Sequence, residues 1–191
     1  MALASPPLLT LAAYFERDTA DQWDAELEAG QLLPMPPASD RHQRITSLLF
    51  ALLLQQGIPP QRLRMGIELV VTGARATVRI PDLTVLSEEL ALSLSGATRA
   101  TITIDLPPPA LLVEVVSPSK ENSDRDYRYK RSEYGARGIP EYWIIDPQLE
   151  QIVCLELVDG FYEAQTYQGD TLFHSPSLGQ LPYTAAQILT G

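Results

Sequence analysis

Hydrophobic and polar positions are arranged most distinctively between Ala110 and Pro147. Residues 110–116 form an apolar run interrupted only by Glu114, and residues 142–145, directly after Glu141, form a second apolar run. Runs of this length between turn-forming residues are typical of buried β-strands. The stretch between them is charged and has the composition of a helix. The pattern therefore predicts strand, helix and strand in succession.

The ends of the predicted helix carry capping signals. Ser123 and Asp126 form the S-x-x-D pattern of a capping box, and Gly138 supplies the left-handed residue that ends many helices. Because Pro140 cannot continue a helix, the helix is expected from about Asp124 to Arg137. Two buried strands joined in this way form a right-handed parallel β-α-β unit.

Apolar periodicity and turn residues also mark elements before this unit. They predict a short first helix, a small hairpin, an amphipathic helix and a second hairpin, in that order. The expected bounds are Leu11–Arg17, Trp23–Leu27 with Gln31–Met35, Arg41–Gln56, and Arg64–Val71 with Thr77–Leu86. The last strand contains Pro81-Asp82, and a proline inside a strand suits a sheet edge or a bulge.

The remaining segments complete a mixed α/β pattern. Residues 87–109 are an excursion with a short helix at Glu88–Leu94, and the chain ends with a helical turn at Tyr183–Leu189. Between the central unit and that turn, a hairpin is expected from Gln151–Val158 and Phe161–Tyr167. The order αβββαβ with added hairpins predicts a mixed sheet flanked by helices, in one domain spanning residues 1–191 with its core at about 24–167.

Composition excludes several classes of protein. The chain is 45% hydrophobic and 20% charged, as in ordinary globular proteins. The single cysteine, Cys154, excludes an internal disulfide and a zinc site built on several cysteines, and its apolar surroundings predict a buried structural thiol. The sequence has neither a stretch of about 18 apolar residues nor a signal-peptide pattern. A cytoplasmic protein without a membrane span is therefore expected.

The charge distribution is uneven. A net charge of −10 argues against a broad nucleic-acid surface. Six of the 14 basic residues nevertheless fall in the central loop and helix, and these are Lys120, Arg125, Arg128, Lys130, Arg131 and Arg137. Any contact with nucleic acid should therefore be local to this segment. Both lysines of the chain belong to it, and lysine offers a compact charge whose pKa a protein can shift.

Three residues have the chemistry of a phosphodiesterase site. Asp82 and Glu114 lie on strands that are expected to be neighbours, and Lys130 lies on the following helix. Paired carboxylates suit a hard cation such as Mg²⁺, which keeps several waters and often binds phosphate. A lysine beside them can orient the attacking water. These are the elements of metal-assisted phosphodiester hydrolysis.

The motifs around these residues resemble a known family. The segments are PDLTVL, LLVEVVSPS, and D-x-x-x-K-x-x-x-Y-x-x-x-GIPEYWIIDP. Together they resemble the Uma-two family of restriction endonucleases, which belongs to the restriction-endonuclease-like, or PD-(D/E)XK, nuclease superfamily. The block from EVVSPS to EYWIIDP carries the most specific part of this resemblance.

The resemblance implies an Mg²⁺-dependent endonuclease acting on DNA, with Mn²⁺ as an alternative ion. Asp82 and Glu114 would hold the metal, with the Val115 carbonyl as a further ligand. The superfamily usually places its lysine two residues after the acid, where this chain has Val116. Lys130 on the following helix is therefore the candidate catalytic lysine.

Other residues are candidates for accessory roles, each with a structural alternative. Asp126 either joins the site or only completes the capping box, and Tyr134 either joins it or packs the helix on the sheet. His42 and Glu68 could approach the site or simply lie on the surface. The candidate nucleic-acid contacts are Lys120, Arg125, Arg128 and Arg131.

Purely structural roles are also possible for the three main site residues. Glu114 could be a structural acid paired with Lys130 or an arginine, Asp82 could cap a bulge, and Lys130 could be a solvated helix charge. At the level of function, the alternatives are a catalytically inactive nuclease fold that binds DNA or protein, and a structural homo-oligomer such as a homodimer.

Overall fold

The computed structural model describes residues 8–17, 25–71, 75–118 and 124–191. Its helices are α1 (Leu11–Phe15), α2 (Asp40–Gln55), α3 (Glu88–Ser93), α4, in which a π-helical segment (Arg125–Lys130) continues into an α-helical one (Arg131–Ala136), and α5 (Ala185–Thr190). A 3₁₀ turn at Pro60–Arg62 precedes the third strand. Within the described ranges, no helix is long and apolar enough to cross a membrane.

The strands form three sheets. They are β1 (Ala25–Glu28), β2 (Gln31–Pro34), β3 (Leu63–Arg64), β4 (Glu68–Val70), β5 (Val78–Arg79), β6 (Leu83–Val85), β7 (Thr101–Ile102), β8 (Leu111–Val115), β9 (Glu141–Asp146), β10 (Gln151–Val158), β11 (Phe161–Gln168), β12 (Leu172–Ser175) and β13 (Gly179–Thr184). One sheet has the order β2-β1-β5-β4-β7, the main sheet has the order β11-β10-β9-β8-β6-β3, and β12-β13 form a separate ribbon.

The predicted β-α-β unit lies at the centre of the main sheet. Strands β8 and β9 are parallel, with Leu111 opposite Glu141 and Val115 opposite Ile145. Helix α4 connects them, as the apolar runs predicted. The mixed α/β class expected from the sequence is confirmed. The capping box at Ser123 and the start of the first hairpin at Trp23 lie outside the described residues.

The two faces of the main sheet support separate cores. Alternate residues of β8, such as Val113 and Val115, pack with α2 and α5. The neighbouring residues Leu112 and Val116 pack with Tyr134 of α4. Helix α2 begins where Ser39 accepts a hydrogen bond from the His42 backbone N–H. Because successive residues of a strand point to opposite faces, Glu114 faces α4 and not α2.

The second predicted hairpin differs from expectation. The segment expected as one strand over residues 77–86 is interrupted at Pro81, and β5 and β6 belong to different sheets. The pairing nevertheless keeps one register across the interruption, from Val70 opposite Val78 to Leu63 opposite Val85. Since proline lacks the N–H needed for a ladder bond, the strand opens at this position. Asp82 follows immediately in the gap.

The sequence pattern missed two further features. Strand β7 is only two residues long and pairs with β4, and the β12–β13 ribbon lies before the final helix. Both segments are rich in polar residues and lack a clear alternation. The hairpin of β10 and β11, by contrast, matches its predicted bounds to within one residue.

Candidate active site

Asp82 and Glu114 are brought together by strand pairing. Strands β6 and β8 are antiparallel, with Leu83 opposite Val113. The same register extended by one residue places Asp82 opposite Glu114. Residues that are opposite each other in an antiparallel pair share a face of the sheet. Both carboxylates therefore lie at the point where the strand opens after Pro81.

These two residues line a small cleft of about 110 Å³. The cleft is bounded by the β1–β2 hairpin, the start of α2, the end of β8 and the first half of α4. Its charged or titratable lining residues are Glu26, His42, Asp82, Glu114, Arg125, Asp126 and Lys130. A larger and more neutral space of about 430 Å³ adjoins it and shares His42 and Asp82. Because the two spaces share these residues, the cleft continues into the larger space beside His42 and Asp82.

Asp82 is held by backbone and side-chain donors. The Val115 backbone N–H donates to Asp82 Oδ2 over 2.7 Å, and His42 Nε2 lies 3.2 Å from the same oxygen. Burial alone would lower the pKa of His42, but the hydrogen bond to Asp82 and the charges of Asp82 and Asp126 raise it. His42 therefore lies in the cleft and faces a carboxylate.

Glu114 is almost fully buried, with 3% of its surface exposed. Its Oε1 accepts a hydrogen bond of 2.6 Å from the Tyr134 hydroxyl and lies 2.9 Å from Lys130 Nζ. Burial raises the pKa of this carboxyl to about 8, and the carboxylates of Asp82, Asp126 and Glu26 add to the rise while Lys130 opposes it. Tyr134 thus contacts the site as well as packing the helix on the sheet.

Lys130 is the central cation of the cleft. Its Nζ lies 2.9 Å from Glu114, 3.4 Å from Glu26 and 3.4 Å from Asp126. Burial alone would lower the pKa of Lys130, but the surrounding carboxylates hold it well above its usual value. The pKa of Asp126 is raised, first by burial and then by Asp82 and Glu26, against the effect of Lys130. Lys130 is therefore a buried, protonated ammonium and not a solvated helix charge.

Glu26 and Arg79 belong to this charge network, although sequence reasoning did not select them. Glu26 accepts hydrogen bonds from Arg79 and from the Ile80 backbone N–H. Arg79 is completely buried and also binds Glu28 and, through two nitrogens, Glu133. Arg79 could have been noticed in the sequence, because it is a charged residue between Val78 and Ile80, three positions before Asp82. The N-terminal hairpin gave no comparable signal for Glu26.

Other candidates lie elsewhere or have other partners. Glu68 is on β4, away from the cleft, and binds Arg99, Thr101 and the Tyr14 hydroxyl. Of the two alternatives left open for Glu68, the structure does not contain an approach to the cleft, because this network holds its carboxylate in the other sheet.

The basic residues are divided between two sides of α4. Arg125 lines the cleft and lies 3.7 Å from Glu28. Arg128 is largely exposed, with Asp124 at 3.9 Å, and Arg131 donates to the Tyr162 carbonyl. Lys120 lies outside the described residues.

The donor set of the cleft suits a hard divalent cation. Among the described residues, no three His, Cys, Asp or Glu side chains already surround a common point at which a metal ion would fit. However, the contacts of Asp82 and Glu114 described above all involve one oxygen of each carboxylate. The second oxygens and the Val115 carbonyl are the kind of donors that Mg²⁺ prefers. The pKa of Glu114 is raised first by burial and then by the neighbouring carboxylates, and a bound cation would oppose both effects by favouring the charged carboxylate.

A family model, Uma2, with the description "Putative restriction endonuclease", matches residues 11–186. The chain belongs to the Uma2 family. The match extends over all three sheets and includes each cleft residue, so the family resemblance seen in the central motifs is confirmed.

A solved structure resembles this Uma2 chain in its fold. It is the crystal structure of a protein from Anabaena variabilis, described as "a putative nuclease belonging to DUF820". The TM-score is 0.70 at 17% sequence identity, and the match covers 95% of this chain and 97% of the other. The fold is therefore the expected restriction-endonuclease-like one. No curated protein matches the sequence. Uma2 membership and this fold support a nuclease as the general class of activity.

Proposed function

We propose that this chain is a divalent-metal-dependent endonuclease that hydrolyses phosphodiester bonds of DNA. The observation that carries the proposal is the convergence of Asp82, Glu114 and Lys130 in one cleft. These residues come from three different elements, and the fold brings them together although they are distant in sequence. Uma2 membership supports the same class of chemistry.

Asp82, Glu114 and the Val115 carbonyl would hold the metal, with Mg²⁺ as the expected ion and Mn²⁺ as an alternative. Bound there, the ion would lower the pKa of a coordinated water and offset charge on the phosphate. Asp82 is oriented for this task by the Val115 N–H, and Glu114 by the Tyr134 hydroxyl. Because the pKa of Glu114 is raised to about 8, metal binding at neutral pH would release a proton from this carboxyl.

Lys130 would act as a positioned cation. Its raised pKa keeps it protonated at neutral pH, so it donates hydrogen bonds and does not accept a proton. From its place 2.9 Å from Glu114, it would orient the attacking water and stabilise charge on the phosphate. Its migration to α4 accounts for Val116 at the position where the superfamily usually has lysine.

DNA would approach across the exposed side of the cleft. Arg125 lines the cleft, and Arg128 is exposed on the same helix. With Arg131 and Lys120, these residues would provide the phosphate contacts on which affinity for nucleic acid depends.

Thermal unfolding with Mg²⁺ or Mn²⁺, followed by cleavage of plasmid DNA, tests the proposal. A ligand at about 100 times its dissociation constant stabilises a protein by about 2.7 kcal/mol, which corresponds to a rise in Tm of roughly 5–10 °C for a domain of this size. We expect this rise for wild type and its loss in Asp82→Asn and Glu114→Gln. Asp40→Asn, whose side chain is 89% exposed outside the cleft, is the matched control and should keep it.

Cleavage should follow the same pattern, with the Lys130→Met variant also inactive. If metal leaves the Tm of wild type unchanged and plasmid DNA stays intact, the proposal is wrong.

A second candidate function is a catalytically inactive nuclease fold that binds DNA. It is favoured by the contacts of Lys130, whose ammonium already neutralises part of the carboxylate charge, and by Val116 at the usual lysine position. DNA binding without any shift of the Tm by metal would support this candidate. DNA binding together with a metal-dependent rise in Tm and cleavage of the DNA would exclude this inactive alternative.

A further inference from the structure

A second groove lies on the side of α4 that faces away from the cleft. We call it the outer groove. It has a volume of about 540 Å³ and runs between α4 and the turn of the β10–β11 hairpin. The residues that matter for its chemistry are Tyr127, Arg128, Arg131, Gly135, Phe161 and Tyr162. The groove therefore combines two guanidinium groups with aromatic rings.

Phe161 is unusually exposed for an aromatic residue. It is the first residue of β11, directly after the turn at Asp159-Gly160, and 79% of its surface is accessible. Asp159 and Gly160 both have positive φ, of 48° and 86°, as in the tight turns that connect hairpin strands. Because the turn is tight and the strand is paired with β10 along its length, the ring is presented on a rigid support. Folding gains little from leaving this ring in water.

The opposite wall of the groove is cationic. The Arg128 side chain is 70% exposed, and its distance of 3.9 Å from Asp124 is long for an ion pair. An exposed pair of this kind contributes little stability, so a phosphate could displace Asp124 easily. Arg131 uses one nitrogen to donate to the Tyr162 carbonyl over 2.8 Å. This bond fixes its planar group beside the groove and leaves its other N–H donors available.

The floor of the groove is built from small residues. Ser132, Gly135 and Ala136 line it. A Cβ placed on Gly135 would lie only 3.4 Å from the Tyr162 ring, so the helix backbone and this ring are in close contact. Helix α4 therefore packs directly on Tyr162 here, and Phe161 on the hairpin side lines the same groove.

We propose that the outer groove binds a single-stranded segment of nucleic acid. A base stacks on Phe161, and the flanking phosphates contact Arg128 and Arg131. This inference rests on the proposed function only in taking nucleic acid as the substrate. Aromatic rings combined with basic side chains are the usual means of binding single strands, because every base has a face that can stack.

The charge of the molecule favours this ligand class over a duplex bound along its backbone. At a net charge of −10, the protein cannot offer phosphate contacts over a wide surface, so stacking must supply part of the affinity. In a duplex the faces of the bases are covered by their neighbours. Arg125 lines the cleft and Arg128 borders the outer groove on the same helix, so one strand can pass from the proposed catalytic cleft across α4 to Phe161.

Fluorescence anisotropy with a labelled oligothymidine tests the inference. Binding is measured on the Asp82→Asn protein without divalent metal, so that cleavage does not interfere. Phe161→Ala should weaken binding roughly five- to hundredfold, in line with the known contribution of base–aromatic stacking, and Phe161→Trp should restore it. Arg128→Gln should weaken binding and reduce its dependence on salt.

Two controls match these changes outside the groove. Leu92→Ala removes an apolar side chain that is 78% exposed on α3, and Arg44→Gln removes an exposed arginine of α2. Both should bind the oligonucleotide as the parent protein does. An oligonucleotide duplex of the same length should bind more weakly than the single strand and lose less affinity in Phe161→Ala.

Several results would overturn the inference. They are failure of the parent protein to bind the single strand, equal affinity of Phe161→Ala and Leu92→Ala, or conversion of a dimer to a monomer by Phe161→Ala with unchanged affinity. Because no step of this assay needs cleavage, its outcome is separate from that of the proposed nuclease function. If Phe161→Ala cleaves plasmid DNA as wild type does and also binds oligothymidine with unchanged affinity, the outer groove is not a binding site, and the proposed nuclease function is unaffected.

Discussion

At the scale of single residues, the acids Asp82 and Glu114 of the cleft could be predicted from the sequence more easily than the charged residues that pair within the cleft. Glu114 was conspicuous because an acid in an apolar strand is costly unless it is paired or holds a metal. Its contact with Lys130 was one of the alternatives that the sequence left open, and the structure contains it. Arg79 and Glu26 were not predicted, because a side chain can reach a buried partner only once two elements that are distant in sequence have packed together.

The raised pKa of Glu114 predicts an unusual dependence of stability on pH. Between its ordinary value of 4.5 and about 8, the folded chain keeps a proton that the unfolded chain releases. Since the unfolded state then binds fewer protons, stability falls as pH rises through this window. Glu114→Gln mimics the protonated form, so its stability relative to wild type should increase from about pH 5 to about pH 8, by an amount on the order of a few kcal/mol.

Urea unfolding at the two ends of this window, with a chelator present, measures the effect. If the difference in the free energy of unfolding between Glu114→Gln and wild type stays constant over the window, the carboxyl titrates alike in the folded and unfolded chains and the prediction is wrong. Added Mg²⁺ should stabilise wild type most at the upper end, where Glu114 loses its proton most easily.

At the scale of elements, long periodic segments were predicted well and short ones poorly. Helix α2 and the β10–β11 hairpin match their expected bounds closely. Strands β5 and β7 have two residues each, and segments so short have no periodicity of their own. Their pairing is decided by the sheet around them. The switch between sheets at Pro81 was visible in the sequence as a proline within a strand, but not as a change of partner.

Arg79 connects three elements and should therefore be important for stability. It lies on β5, and it binds Glu26 and Glu28 of β1 and Glu133 of α4. Replacing it by Met would remove the buried cation that these three carboxylates share, and breaking a buried ion pair by removing one partner typically costs about 3–5 kcal/mol. We expect a loss of this size in the free energy of unfolding of Arg79→Met, measured by urea denaturation.

Arg44→Met provides the comparison for this effect. Arg44 forms an exposed pair with Asp40 on α2, and changes at such surface sites usually stay within about 0.5 kcal/mol. Similar losses in the two variants would mean that the Arg79 network adds nothing beyond an ordinary surface pair.

At the scale of the whole molecule, charge limits how nucleic acid can bind. With a net charge of −10, we expect the phosphate contacts of a single strand that crosses α4 to come mainly from Arg125, Arg128 and Arg131. Each neutralised phosphate of a single strand contributes about −0.7 to the slope of log affinity against log salt. We therefore expect a slope of about −2 for oligothymidine, measured by anisotropy between roughly 50 and 200 mM NaCl. A much steeper slope would require a basic surface beyond these three residues.

The π-helical start of α4 has a consequence for chain length. Such segments have a wider turn than the α-helix, are rare, and occur mostly as single turns at functional sites. Here the segment ends at Lys130, so the width of this turn sets the direction of the ammonium. Deleting one residue from Arg125–Tyr129 would shift the lysine by about 100° around the helix axis, away from Glu114. Relatives should therefore keep the number of residues in this turn, and an alignment that introduces a gap here would misplace the lysine.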